Sequence, residues 1–135
     1  MSRSRLRLAS SSGAARTWYV RPWAYAVGTP EDAIITLPFS ALADEAIRAA
    51  VAPAEHLLLC GLETPICVYQ TALDALHAGW QVTILSDAVG ARRTDDADVC
   101  LAALRHAGAH VLPSESVFYA LLRDGRHPFF KTYTQ

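Results

Sequence analysis

The sequence predicts an α/β domain with a mainly parallel sheet at the centre of three layers, α/β/α, of the Rossmann-like kind. Three observations predict it. Short apolar runs recur at HLLLC (56–60), WQVTILSD (80–87) and AHVLP (109–113). Each is followed by a stretch of helical periodicity, and glycines or small polar residues bound the helices so that the loops stay short. Three strand–helix units in succession imply parallel pairing, with the helices lying on the faces of the sheet.

The elements follow in order. Residues 1–16, MSRSRLRLASSSGAAR, form a basic Ser/Arg-rich tail, and 17–135 form the domain. TWYV (17–20) and AIITL (33–37) are two weaker strand candidates on either side of the loop RPWAYAVGTPED. SALADEAIRAAV (40–51) is expected to be a helix with Leu42, Ala46 and Ala49 on its apolar side. HLLLC reads as a buried strand, and CVYQTALDALHA (67–78) as a helix ended by Gly79. After WQVTILSD, Thr94 is expected to cap a helix whose first turn carries Asp95 and Asp96, where the helix dipole favours negative charge. That helix stops at Gly108, and AHVLP leads into SESVFYALL, with Ser114 as its cap. No internal repeat is present. The three strong strands are nearly all apolar, which asks for neighbours on both sides. Either the N-terminal segments complete the sheet, or a partner chain covers its edge.

Composition narrows the functional classes. A length of 135 residues fits one domain, and 52% hydrophobic content is enough for a sizeable core. No apolar run reaches the roughly 18 residues of a membrane-spanning helix. Cys60, Cys67 and Cys100 are odd in number and not closely spaced, which points to a reducing compartment rather than a disulfide scaffold. The net charge of -1 is unevenly spread: residues 1–30 hold five arginines and no acid, while 31–135 hold all 13 acids against the other seven of 12 basic residues, a balance of -6. The expected location is cytoplasmic, with mitochondrial targeting by the acid-free Arg/Ser-rich start as the alternative. Nucleic-acid binding is disfavoured, because the basic residues lie in a tail and not on a folded face. His56, His77, His106, His110 and His127 show no metal-ligand spacing, and no GxGxxG or phosphate loop is present, so neither metal nor cofactor is expected.

In a parallel α/β sheet, ligands collect at the carboxyl ends of the strands. The loop Gly61-Leu62-Glu63-Thr64-Pro65-Ile66 delivers Cys67 to the first turn of the following helix, where unpaired backbone N–H groups can activate a thiol. The same rim receives Asp87, Ser114 and Glu115. A free cysteine is also among the residues most often buried without any reaction, so nucleophile and packing residue both stand at this point. Cys60, at a strand end, and Cys100, in mid-helix, read as packing residues. Arg92 and Arg93 fit either an anion contact or a solvated loop.

GLETPICVYQTALDALHAGWQVTILSDAVGARR, followed by LRHAGAHVLPSESVF and RHPFF, resembles the C-terminal half of the isochorismatase-like cysteine hydrolases, nearest the isochorismatase domain-containing proteins. The resemblance runs from about Phe39 to Phe130 and rests on the pattern GxETxxCVxQTAxDxxxxGxxVxxxxDA. It implies that Cys67 is the nucleophile, that the Leu62–Glu63 peptide is cis, and that backbone N–H groups of Ile66 and Cys67 form an oxyanion hole. Glu63, Thr64, Asp87 and Glu115 would line a pocket for a small-molecule substrate. Family members are usually oligomeric and hydrolyse amides or vinyl ethers, so a homo-oligomer is expected. TLPFSAL (36–42) resembles the family segment KTxFSxF, with Thr36 where the family lysine belongs. The catalytic aspartate's DxQ motif and its first strand are missing, which implies a domain truncated at its N-terminus; the only lysine is Lys131. Threonine cannot carry the lysine's charge, and losing triad members costs orders of magnitude in rate. The expectation is therefore a degenerate cysteine hydrolase with weak or no turnover. The alternative is an active hydrolase of a small amide or vinyl ether that uses Cys67.

Overall fold

In the computed structural model, the described residues are 9–10, 13–14, 19–21, 33–35 and 39–134. The chain builds a mixed α/β fold whose main sheet is parallel and flanked by helices. Strands β5 (His56–Leu62), β6 (Gln81–Gly90) and β7 (His110–Leu112) form this sheet in the order β5-β6-β7, both pairings parallel. Helices α2 (Tyr69–His77) and α3 (Thr94–His106) make the two crossovers. Four short strands precede them: β1 (Ala9–Ser10) pairs antiparallel with β2 (Gly13–Ala14), and β3 (Tyr19–Arg21) pairs parallel with β4 (Ala33–Ile35). Helix α1 is Glu45–Val51, α4 is Ser114–Leu122 and α5 is Pro128–Thr134.

The core follows from the alternation of side chains along a strand. Val82 and Ile84 of β6 point to one face and meet Leu57 of β5, Ala72 and Ala75 of α2, and Leu104 of α3, all buried. The small Ala72 and Ala75 let α2 lie close to the sheet. Thr83, between those two β6 residues, points to the opposite face and is buried there, where α4 also contacts β6 through an element carrying the buried Phe118 and Leu122. Helices therefore cover β6 on both sides, which explains why its sequence is apolar or β-branched at every position from Val82 to Leu85.

The fold class is borne out, and several finer expectations need correction. The helix expected over 40–51 begins only at Glu45, because the Asp44 carboxylate accepts from the N–H groups of Ala46 (2.9 Å) and Ile47 (3.2 Å) and so caps it there; Ala41–Ala43 form a separate 3-10 turn. Neither Thr94 nor Ser114 is a cap. Each is the first residue of its helix, and the cap positions are Arg93 and Pro113. The strand expected at 80–87 runs on to Gly90, and Asp87 lies within it. The N-terminal strand candidates pair with each other rather than with β5, so among the described residues β5 has β6 as its one neighbour. Gly79 and Gly108, which follow α2 and α3, take φ values of +94° and +108°, the left-handed ending that glycine permits.

Candidate active site

The loop after β5 differs from the expected direct entry into a helix. Between Leu59 and Gly61 the strand register shifts, with Gly61 at φ +141°, and the chain then continues as far as Leu62 paired with Gly90. The Leu62–Glu63 peptide bond is cis. Residues Thr64–Val68 wind as a wide turn in which the Val68 N–H reaches back five residues to the Glu63 carbonyl (3.4 Å), and α2 proper starts at Tyr69. Cys67 thus sits in this wide turn and not in the first turn of an α-helix. Pro65, which has no N–H to satisfy, occupies the start of the turn.

Cys67 is half-buried and packs against the core cluster. Its Sγ donates to the Leu62 carbonyl at 3.0 Å and faces the Glu63 carbonyl at 3.6 Å. The Ile66 N–H, an expected oxyanion-hole donor, is directed to the Glu63 carbonyl at 3.1 Å. Burial pushes the Cys100 thiol up, and nearby Asp96 adds to the effect; Cys60, expected as a packing residue, is instead exposed on β5.

The remaining predicted site residues fall into two groups. Glu63 and Thr64 belong to the loop of Cys67. The Glu63 carboxylate accepts from the Arg92 backbone N–H at 3.0 Å and lies 3.4 Å from the Arg92 guanidinium. The Thr64 hydroxyl, fully buried, donates to the Gly90 carbonyl at 3.0 Å. Asp87 and Glu115 belong to a second group at the start of α4. The Asp87 carboxylate accepts from the Ser114 N–H (2.8 Å) and the Ser114 hydroxyl (2.6 Å), which holds its carboxyl below the usual range. Asp87 therefore does from β6 the capping that Ser114 was expected to do for itself. Glu115 is exposed beside it. Among the described residues no hydrogen bond joins the two groups.

Arg92 and Arg93 are each met by an acid, Glu63 and Asp96, the latter at 3.1 Å. Together with Pro65 these four residues line an open cleft of about 410 Å³ next to the Cys67 loop. Ser40 carries no signal in the sequence, and its buried hydroxyl has no partner among the described residues. It precedes Ala41, whose N–H is held at 2.9 Å by the Thr71 hydroxyl, one helical turn beyond Cys67. A buried, unsatisfied hydroxyl is a tertiary property with no sequence signature. Thr36 lies outside the described residues. Among those described, no group of three or more His, Cys, Asp or Glu could hold a metal ion, and no helix is long and apolar enough to cross a membrane.

The parallel sheet thus carries Cys67 in the turn after β5, at the carboxyl ends of its strands. The isochorismatase domain matches residues 25–116, and the chain belongs to that family. It is 47% identical over 77 residues to isochorismatase domain-containing protein 2A of Mus musculus, a match covering 57% of this chain and 37% of the mouse protein. Among solved structures it resembles the MAR1 ribonuclease of Caenorhabditis elegans, with TM-score 0.71 and 27% identity, over 76% of this chain and 53% of that one. It also resembles the YcaC gene product of Escherichia coli, described as an octameric hydrolase of unknown specificity, with TM-score 0.69, 26% identity, and coverage of 76% and 50%. The chain spans under two fifths of the length of curated relatives it matches, 37% to 38%.

Proposed function

We propose that this chain is a degenerate member of the cysteine-hydrolase family that retains a small-molecule cleft beside Cys67 and has weak or no turnover. The single observation that carries the reading is the company of the sulfur. Its hydrogen-bond partners among the described residues are the Leu62 and Glu63 carbonyls, which cannot take up its proton as a general base must. Two carboxylates expected at the site are engaged elsewhere, Glu63 with Arg92 and Asp87 with Ser114. Thr36 in place of a lysine agrees with this. A small ligand suits the site better than nucleic acid, since residues 31–135 carry a net charge of -6 and would repel a polyanion.

We also propose a homo-oligomer. The support is the octameric state given for the Escherichia coli relative, together with exposed Leu58 and Leu62 on β5, whose one strand partner among the described residues is β6.

The test is hydrolysis across a panel of small amides, esters and vinyl ethers by the wild type and Cys67→Ala. The expected result is no difference between the two proteins. Turnover present in the wild type and lost in Cys67→Ala would overturn the reading and leave the active hydrolase in its place.

A further inference from the structure

The turn that presents Cys67 is fastened to the end of β6 at three successive residues. Leu62 pairs with Gly90 in the strand ladder. Glu63 takes the Arg92 N–H with one carboxylate oxygen, at 3.0 Å, and meets the Arg92 guanidinium with the other, at 3.4 Å. Thr64, with no exposed surface, donates its hydroxyl to the Gly90 carbonyl at 3.0 Å. Leu62 and Glu63 are also the residues whose carbonyls face the Cys67 sulfur. A fastening so close to the sulfur in sequence and space acts on the sulfur's own hydrogen bonds.

We propose that Glu63 and Thr64 are positioning residues for the thiol. By joining residues 62–64 to Gly90 and Arg92, they fix the two carbonyls against Sγ and hold Cys67 as a hydrogen-bonded thiol, turned toward the backbone. The side chains then serve the nucleophile's geometry and need not touch a ligand. An electrophile reaches a sulfur so held only after its hydrogen bond to Leu62 is broken. The Arg92 guanidinium is mostly exposed, so its ion pair with Glu63 is screened, and the bond from the Arg92 N–H and the buried Thr64 bond do most of the fastening. The proposal rests on the reading of Cys67 as the site's thiol, and it assigns two residues a role through that thiol.

The test is alkylation of the full chain by iodoacetamide, followed peptide by peptide by mass spectrometry, with Cys60 and Cys100 as internal references. Glu63→Met and Thr64→Val should each raise the Cys67 rate about three- to tenfold, the worth of one net hydrogen bond, while Cys60 and Cys100 stay at their wild-type rates. Thr64→Ser, which restores the hydroxyl, should return the Cys67 rate to the wild-type value; a role in packing alone would not be rescued in this way. Should Thr64→Val fail to fold, Glu63→Met at a partly exposed side chain carries the test by itself. An unchanged or reduced Cys67 rate, or a rise shared by all three cysteines, overturns the proposal. Turnover lost in Cys67→Ala would overturn the weak-turnover reading and leave these rate ratios unaffected, so the two failures are separable.

Discussion

Strands β5 and β7 flank the same central strand, yet they are built differently. β7 is three residues long, pairs with β6 over Thr83–Leu85, and gives way at once to Pro113. Short length and a following proline are ways by which proteins limit an outer strand. β5 has seven residues, HLLLCGL, with no lysine, acid or proline, and pairs with β6 along most of its length. Its Leu57 is buried in the core, while Leu58, Cys60 and Leu62 on the opposite face are exposed. A strand apolar on both faces is written for the interior of a parallel sheet. Among the described residues β6 is the one strand partner of each, and the contrast is that β7 carries the features of an outer strand whereas β5 has the chemistry of a strand with two neighbours.

The largest effect that would sharpen this contrast is in the core. Leu57→Ala on β5 should cost about 2–5 kcal/mol in urea unfolding, because a buried leucine leaves a cavity among Val82, Ala72 and Leu104. Val111→Ala on β7, half-buried against the same cluster, should cost about 1 kcal/mol. Equal costs would mean that the two strands anchor the sheet alike, and the distinction would fail.

How much of this was legible beforehand depended on whether the cause was local. The apolar runs and bounding glycines located β5, β6, β7 and the helices α2, α3 and α4, since hydrophobic period and left-handed glycines are written into the chain itself. Periodicity places the start of α2 too early, because CVYQTALDALHA keeps helical spacing straight through Cys67, while the wide turn there begins at Thr64–Pro65 and follows the pairing of Leu62 with Gly90. That same distant pairing extends β6 through Ala88, Val89 and Gly90, which read as a loop on their own. Asp87 as the cap of α4 was equally invisible, being a bond between residues 27 apart in sequence. For the candidate site, position was legible and company was not: the rim, Cys67 and its loop could be named, but the carbonyls around the sulfur and the ties from Glu63 to Arg92 come only from tertiary geometry.

A smaller effect tests the exposed face of β5 directly. Leu58→Lys replaces an exposed leucine, so unfolding free energy should move by no more than about 0.5 kcal/mol. Light scattering should nevertheless show a smaller particle than the wild type if copies meet on this face, because a charge on an outer strand opposes pairing. Leu112→Lys, at a similarly exposed position on β7, should leave the particle mass unchanged. A shift with Leu112→Lys and none with Leu58→Lys would reverse the assignment of the sticky edge.

The smallest effect links the two strands. His56 of β5 and His110 of β7 lean together over β6, their rings 6.3 Å apart, and His56 Nε2 lies 2.8 Å from the Thr83 hydroxyl. Burial, and then the charge of His110, hold His56 below its ordinary value of 6.5. Its neutral form is thus favoured in the folded chain. The sign follows: this contribution to stability is fully present above about pH 6.5 and is lost as pH falls through the lower folded value, when the unfolded chain binds more protons than the folded one. The groups facing His56 are the Thr83 hydroxyl and the His110 ring, so His110→Asn should remove only the second, smaller cause. The midpoint of thermal unfolding should then fall less steeply between pH 7 and about pH 5 in His110→Asn than in the wild type. His56→Asn should flatten that slope further, since it removes both causes at once. If His110→Asn flattened the profile as much as His56→Asn, repulsion across β6 would outweigh burial, and the outer position of His56 would count for less than its pairing with β7.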